Sequence, residues 1–69
     1  MKKITNDMLE KVKMHEHSKQ IMHYYTLYKH YLKIDIKKSN HFKLDFLILG
    51  GFLNRDEKEI EMEKQNRIW

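Results

Sequence analysis

Residues 42–51 have the sequence FKLDFLILGG, and the secondary structure of this stretch decides the fold class. Phe42 and Phe46 fall on one stripe of a helical wheel together with Leu49, which indicates a short buried helix. The glycine pair that follows is typical of a helix end. We therefore predict a helix here, with Gly50 in the left-handed conformation of a C-terminal cap.

The same region also carries a strand-like pattern. Apolar residues alternate with charged ones at Leu32, Ile34, Ile36, Phe42, Leu44, Phe46 and Ile48. This alternative gives an α-β-β-α fold with a hairpin at about residues 32–49. The connecting residues lack the Asn-Gly or Asp-Gly pair of a tight turn, and few of the apolar residues are β-branched. The preferred prediction is a mainly α fold, a small single-domain bundle of three to four helices over residues 1–69.

Upstream, residues 23–31 have the sequence HYYTLYKHY and contain all four tyrosines of the chain. At 3.6 residues per turn the tyrosines and neighbouring aliphatic residues share one half of a helix, while lysines and histidines occupy the other half. We expect this helix to reach about Ile34 or Ile36, with residues 37–40 as a polar connection and Ser39 as the next N-cap. The residues assigned to the core are Ile21, Tyr25, Tyr28 and Leu32, with Tyr24 and Tyr31 at the edge.

Two further helices are expected at the ends of the chain. Thr5 is placed to cap the first helix, and a polar stretch at residues 14–18 predicts a bend before the tyrosine helix. Asn54 and Glu57 have the spacing of a capping box, which predicts a C-terminal helix over about residues 54–67. Because this last helix has few apolar residues, we expect a partner to order it.

The length of the chain limits its stability. A chain of 69 residues buries only about 60% of the surface that its unfolded form exposes. Disulfides are excluded because the sequence has no cysteine, which also favours a reducing, cytoplasmic location. The stretch after Met1 lacks the apolar core of a signal peptide. A partner or a homodimer is therefore the expected source of additional stability.

The charge is uneven along the chain. Residues 1–43 carry ten lysines against four acidic residues, a net charge of +6, whereas residues 44–69 have a net charge of −2. We interpret the two halves as pairing within the fold. Abundant lysine, isoleucine and asparagine without proline suggests an AT-rich genome, such as that of a low-GC bacterium or its virus.

Catalytic, cofactor and metal sites are not indicated. His15 and His17 would point about 200° apart on a helix, and His23 and His30 would be separated by about 10 Å of helix rise. Neither spacing suits a zinc ion. The serines lack a nucleophile signature, and the glycine pair is not followed by the Lys-Ser or Lys-Thr of a phosphate-binding loop. We predict a non-enzymatic protein without cofactor or metal.

The preferred functional hypothesis is protein docking. Tyrosine is enriched at interface hot spots, and the apolar arc of the tyrosine helix is wider than a small domain needs. The predicted partner-binding residues are Tyr24, Leu27, Tyr28 and Tyr31. The chain would act as a regulator or inhibitor of a larger host protein or complex, with a phage or mobile element as a special case.

Nucleic-acid binding, as in a small transcription regulator, is the alternative. Six lysines near the tyrosines would contact phosphates while the rings stack on bases: Lys19, Lys29, Lys33, Lys37, Lys38 and Lys43. Lysine lacks the bidentate fork that reads guanine, and a net charge of +4 is modest for this class of protein. A membrane surface ranks third, because the tyrosine helix contains neither Phe nor Trp.

Overall fold

The computed structural model describes residues 3–64, which form a small compact all-helical domain. The helices are α1 (Asn6–Lys13), α2 (Ser18–Tyr31), α3 (Ile36–Leu49) and α4 (Arg55–Lys64), and no strand is present among the described residues. The mainly α prediction is confirmed and the α-β-β-α alternative is wrong. Phe46 and Leu47 are adjacent and both fully buried, whereas a strand would point them to opposite faces.

Side-chain caps mark the starts of α1 and α3. The Thr5 hydroxyl accepts a hydrogen bond from the Met8 N–H at 3.3 Å, which confirms the predicted N-cap of α1. Asp35, not Ser39, caps α3, because its carboxylate accepts from the Lys38 N–H at 3.3 Å. The predicted connection at residues 37–40 is therefore wrong: these residues are helical, and α2 ends at Tyr31.

A Schellman motif ends α3. The Phe52 N–H donates to the Leu47 carbonyl at 2.9 Å, and the Gly51 N–H donates to the Ile48 carbonyl at 3.1 Å. Gly51 has φ of 72°, so the left-handed residue is Gly51 and the prediction of Gly50 was wrong by one position. The Phe52 ring then stacks on Phe46 with ring centroids 5.7 Å apart, which directs the chain back over the core.

The core lies between α2 and α3 and is completed by α1. Its buried apolar members are Met8, Val12, Ile21, Leu44, Phe46, Leu47 and Leu53. Tyr25 packs beside them, with its ring centroid 5.6 Å from that of Phe46. The antiparallel helices α2 and α3 thus carry most of the apolar burial.

Helix α4 begins at the predicted capping box. The Glu57 N–H donates to the Asn54 side-chain oxygen at 2.8 Å, and the Asn54 N–H donates to a Glu57 carboxylate oxygen at 3.2 Å. Both bonds confirm the sequence prediction. Within α4, Glu61 is buried and Met62 packs against the core. Residues 65–67, which were also predicted to be helical, lie outside the described residues.

Candidate docking surface

The turn between α2 and α3 exposes three large aliphatic side chains within five residues. Leu32 is 42% exposed, Ile34 68% and Ile36 56%. Together with the lysines of residues 29–38 they are called the corner below. The turn closes when the N–H groups of Ile34 and Asp35 donate to the Tyr31 carbonyl at 3.0 and 2.8 Å. The prediction that Leu32 belongs to the core is wrong, because α2 ends before it can face α3.

Lysines surround these aliphatic side chains. Lys29 lies in the last turn of α2, Lys33 in the turn itself, and Lys37 and Lys38 in the first turn of α3, and all of them are exposed. Lys19 is apart from them: ten residues before Lys29 on α2, it is separated by about 15 Å of helix rise. The corner therefore unites four of the six lysines proposed for nucleic-acid contact.

The remaining lysine of that set, Lys43, is half-buried on α3. Burial lowers the pKa of its ammonium group, and nearby Lys3 lowers it further, whereas the negative charge of Glu61 opposes the shift. Lys43 also places its ammonium 5.8 Å from the centre of the Tyr28 ring. Lys43 therefore lies beside the Tyr28 ring and within electrostatic range of the buried Glu61, between elements of the same chain.

The tyrosines proposed for partner binding are each half-buried. Tyr24 and Tyr31 both pack against Phe42, with ring centroids 6.3 and 5.6 Å from its ring. These contacts cross from α2 to α3, so the two rings help to hold the helices together. Tyr28 and Leu27 are also half-buried. The four proposed partner-binding residues lie along α2, and Tyr31, the last residue of this helix, adjoins the corner.

Cation–π contacts join the tyrosines to the lysines. The Lys38 ammonium lies 5.3 Å from the centre of the Tyr31 ring, and the Lys29 ammonium lies 5.6 Å from that of Tyr25. Such contacts contribute about 0.5–1 kcal/mol at exposed sites. They hold the two ammonium groups over the aromatic rings. A partner at the corner would therefore meet charge and aromatic surface together.

The corner was missed from sequence although its signal was present. The alternation of aliphatic and charged residues over 32–37 was interpreted either as the end of the tyrosine helix or as a strand. An Asp in the middle of that stretch, with a helical pattern after it, is the signature of an N-cap. Giving Asp35 this role would have placed Leu32 and Ile34 in a turn.

None of the described helices is both long and apolar enough to cross a bilayer. Within residues 3–64, no group of three or more His, Asp and Glu side chains is placed to hold a metal ion. The sequence matches no protein-family model, and searches of curated proteins and of solved structures also find no match.

Proposed function

We propose that the chain is a small non-enzymatic docking module that regulates or inhibits a larger protein or complex, and that the corner is its docking surface. The exposure of Leu32, Ile34 and Ile36 within five residues carries this proposal. An apolar patch with a polar rim is typical of an interaction site, because covering it removes apolar surface from water at about 25 cal/mol per Å². The proposal includes a cytoplasmic location and a phage or mobile-element origin, for which composition is the support.

The charge at the corner defines the chemistry of the partner. With Lys33 and Lys37 beside the aliphatic side chains, a complementary surface is apolar at its centre and acidic at its rim. Tyr31 and Tyr28 border the corner with partly exposed rings, which suits them to an interface edge. Tyr24 and Leu27 would extend the contact along α2.

Capture from a lysate of the native source, treated with nuclease, tests the corner directly. The bait is the tagged chain, compared with the double variant Ile34→Glu/Ile36→Glu and with Met14→Glu. Met14 is a matched control, since it is an apolar side chain 88% exposed on the α1–α2 connection. We expect the double variant to retain less than about a tenth of the captured protein, because hot-spot losses reach 2 kcal/mol or more. Equal capture by all three baits would refute the corner as the docking surface.

Nucleic-acid binding stays the second candidate, favoured by the convergence of Lys29, Lys33, Lys37 and Lys38 at one corner. In that case Lys29→Ala and Lys33→Ala should each reduce the slope of log affinity against log salt by about one. Lys19→Ala, at the other end of α2, is the comparison variant and measures the effect of removing a lysine elsewhere. A slope that no corner substitution alters would exclude this function.

A further inference from the structure

The outward face of α4 has a composition opposite to that of the corner. Ile60 is 51% exposed, and Asp56, Glu59 and Glu63 are exposed around it. Asp56 and Ile60 are four residues apart and Ile60 and Glu63 three, so the three side chains share one side of the helix. This face, called the α4 face below, is an aliphatic side chain with three carboxylates around it and the exposed Lys64 at its C-terminal edge.

Packing of the other side of α4 determines that this face points outward. Glu61 is 8% exposed and Met62 packs against the core, so the helix cannot turn Ile60 inward without removing them. The exposed Arg55 places its guanidinium nitrogen 3.5 Å from a Glu59 carboxylate oxygen. Such exposed pairs contribute little, so the carboxylates are available to a stronger partner.

We propose that a second copy of the chain covers the corner, with the α4 face of each copy docked on the corner of the other. Ile60 would enter among Leu32, Ile34 and Ile36, while carboxylates of α4 meet the corner lysines. When both contacts form at once about a two-fold axis, the arrangement closes as a dimer; this closed form is the one we propose. The inference does not rest on the proposed function.

Charge complementarity favours a second copy as the occupant. The exposed aliphatic side chains of the corner lie among four lysines and one acidic residue, Asp35, so the corner is net positive. That of the α4 face lies among three acidic residues with Lys64 beside them, so this face is net negative. In a pairing of corner with corner, or of α4 with α4, like charges would oppose each other. The contact of corner with α4 face covers both apolar surfaces and pairs both sets of charges, and the reciprocal dimer does so without leaving either surface open at an end. An external partner would then compete with α4 of the second copy.

Sedimentation equilibrium of the purified chain at low salt tests the dimer. The variants are Ile34→Glu at the corner and Ile60→Lys on α4, with Met14→Glu as the exposed control outside both surfaces. We expect each of the first two to raise the dimer dissociation constant at least about tenfold and the control to leave it unchanged. A chain that stays monomeric up to about 1 mM, or a dimer that withstands both substitutions, overturns the proposal.

A charge exchange separates a specific contact from a loss of folding. One variant carries Lys33→Glu and Lys37→Glu, and the other carries Glu59→Lys and Glu63→Lys. Each alone opposes like charges and should be monomeric, whereas an equimolar mixture restores complementarity and should form a heterodimer. Circular dichroism verifies that both variants are helical. Two folded variants that do not associate when mixed would overturn the reciprocal contact, and the capture experiment on the corner would be unaffected.

Discussion

The small side chain of Ser39 forms a hydrogen bond between α3 and α2 where the two helices pack together. It is fully buried in α3, and its hydroxyl donates to the Tyr28 carbonyl of α2 at 3.0 Å. That carbonyl lies in the last turn of α2. The N–H of Leu32, which would reach it in a longer helix, donates to the Lys29 carbonyl at 3.4 Å instead. The serine therefore supplies a donor that the helix end lacks, and its small size lets the helices approach.

Removing this hydroxyl should be costly. Ser39→Ala leaves a partly buried carbonyl of the α2 end without its donor, so we expect the free energy of unfolding to fall by about 1–3 kcal/mol. Thr26→Ala is the matched control, because the Thr26 hydroxyl also donates to a carbonyl at 3.0 Å but is exposed on its own helix. Chemical denaturation of both variants compares them. Equal stabilities would show that the bond between the helices contributes nothing.

Lys43 couples the stability of the protein to alkaline pH. Desolvation lowers its pKa below the ordinary value of 10.5. Between the folded pKa and that value, the unfolded chain binds more protons than the folded one, so the free energy of unfolding rises with pH across this window. Glu61→Gln removes the opposing attraction and should lower the pKa of Lys43 further. NMR titration of the Lys43 carbon next to the ammonium measures this pKa. Glu63→Gln, exposed on the same helix, should leave it unchanged.

At the scale of the elements, the helix ends account for both the correct and the incorrect predictions made from the sequence. The caps at Thr5 and Asn54 were predicted correctly because short polar side chains there bond to nearby backbone groups, a purely local effect. The start of α3 was placed at Ser39 instead of Asp35, since both are good caps and four residues apart. Burial decided between them: Ser39 faces α2 and is unavailable as a cap.

Gly51 is the left-handed residue at the C-terminal end of α3, and its replacement tests how much this conformation costs other residues. Gly51 has φ of 72°, and an added Cβ would meet no heavy atom within 4 Å, so a side chain costs conformational energy alone. Gly51→Ala should therefore lower the free energy of unfolding by about 1 kcal/mol. Gly51→Asn should lower it less, because asparagine tolerates the left-handed region. Thermal unfolding of the two variants measures the difference, and an alanine variant as stable as the asparagine one would contradict this explanation.

At the scale of the whole molecule, the fold leaves several large apolar side chains exposed to solvent. In addition to the corner, Leu49 is 40% exposed and Met14 88%. The Cα trace extends 31 × 29 × 19 Å along its principal axes, a size that leaves room for only a small core, and association is one way to extend such a core. The two proposals, protein docking and the reciprocal dimer, would each cover part of this exposed apolar surface.

Association should be visible in the thermal stability. If the folded chain dimerises, its melting temperature rises with concentration, by about 4 °C for a tenfold increase in a domain of this size. Ile34→Glu should remove the dependence without abolishing the transition, since Ile34 is 68% exposed and contributes little to the core. Differential scanning calorimetry over a hundredfold range of concentration makes the comparison. A melting temperature that is independent of concentration in the wild type would contradict the dimer.

The helical class, two of the helix caps and the aromatic character of α2 were predictable from the amino-acid sequence. Each depends on interactions within a few residues, such as the 3.6-residue periodicity and the bonds of the Asn54–Glu57 capping box. Tertiary structure decided which tyrosines pack on Phe42, why Ser39 is buried and why Leu32 and Ile34 are exposed. These outcomes depend on where α2 stops and how α3 crosses it, and such long-range packing leaves no periodic signal in the chain.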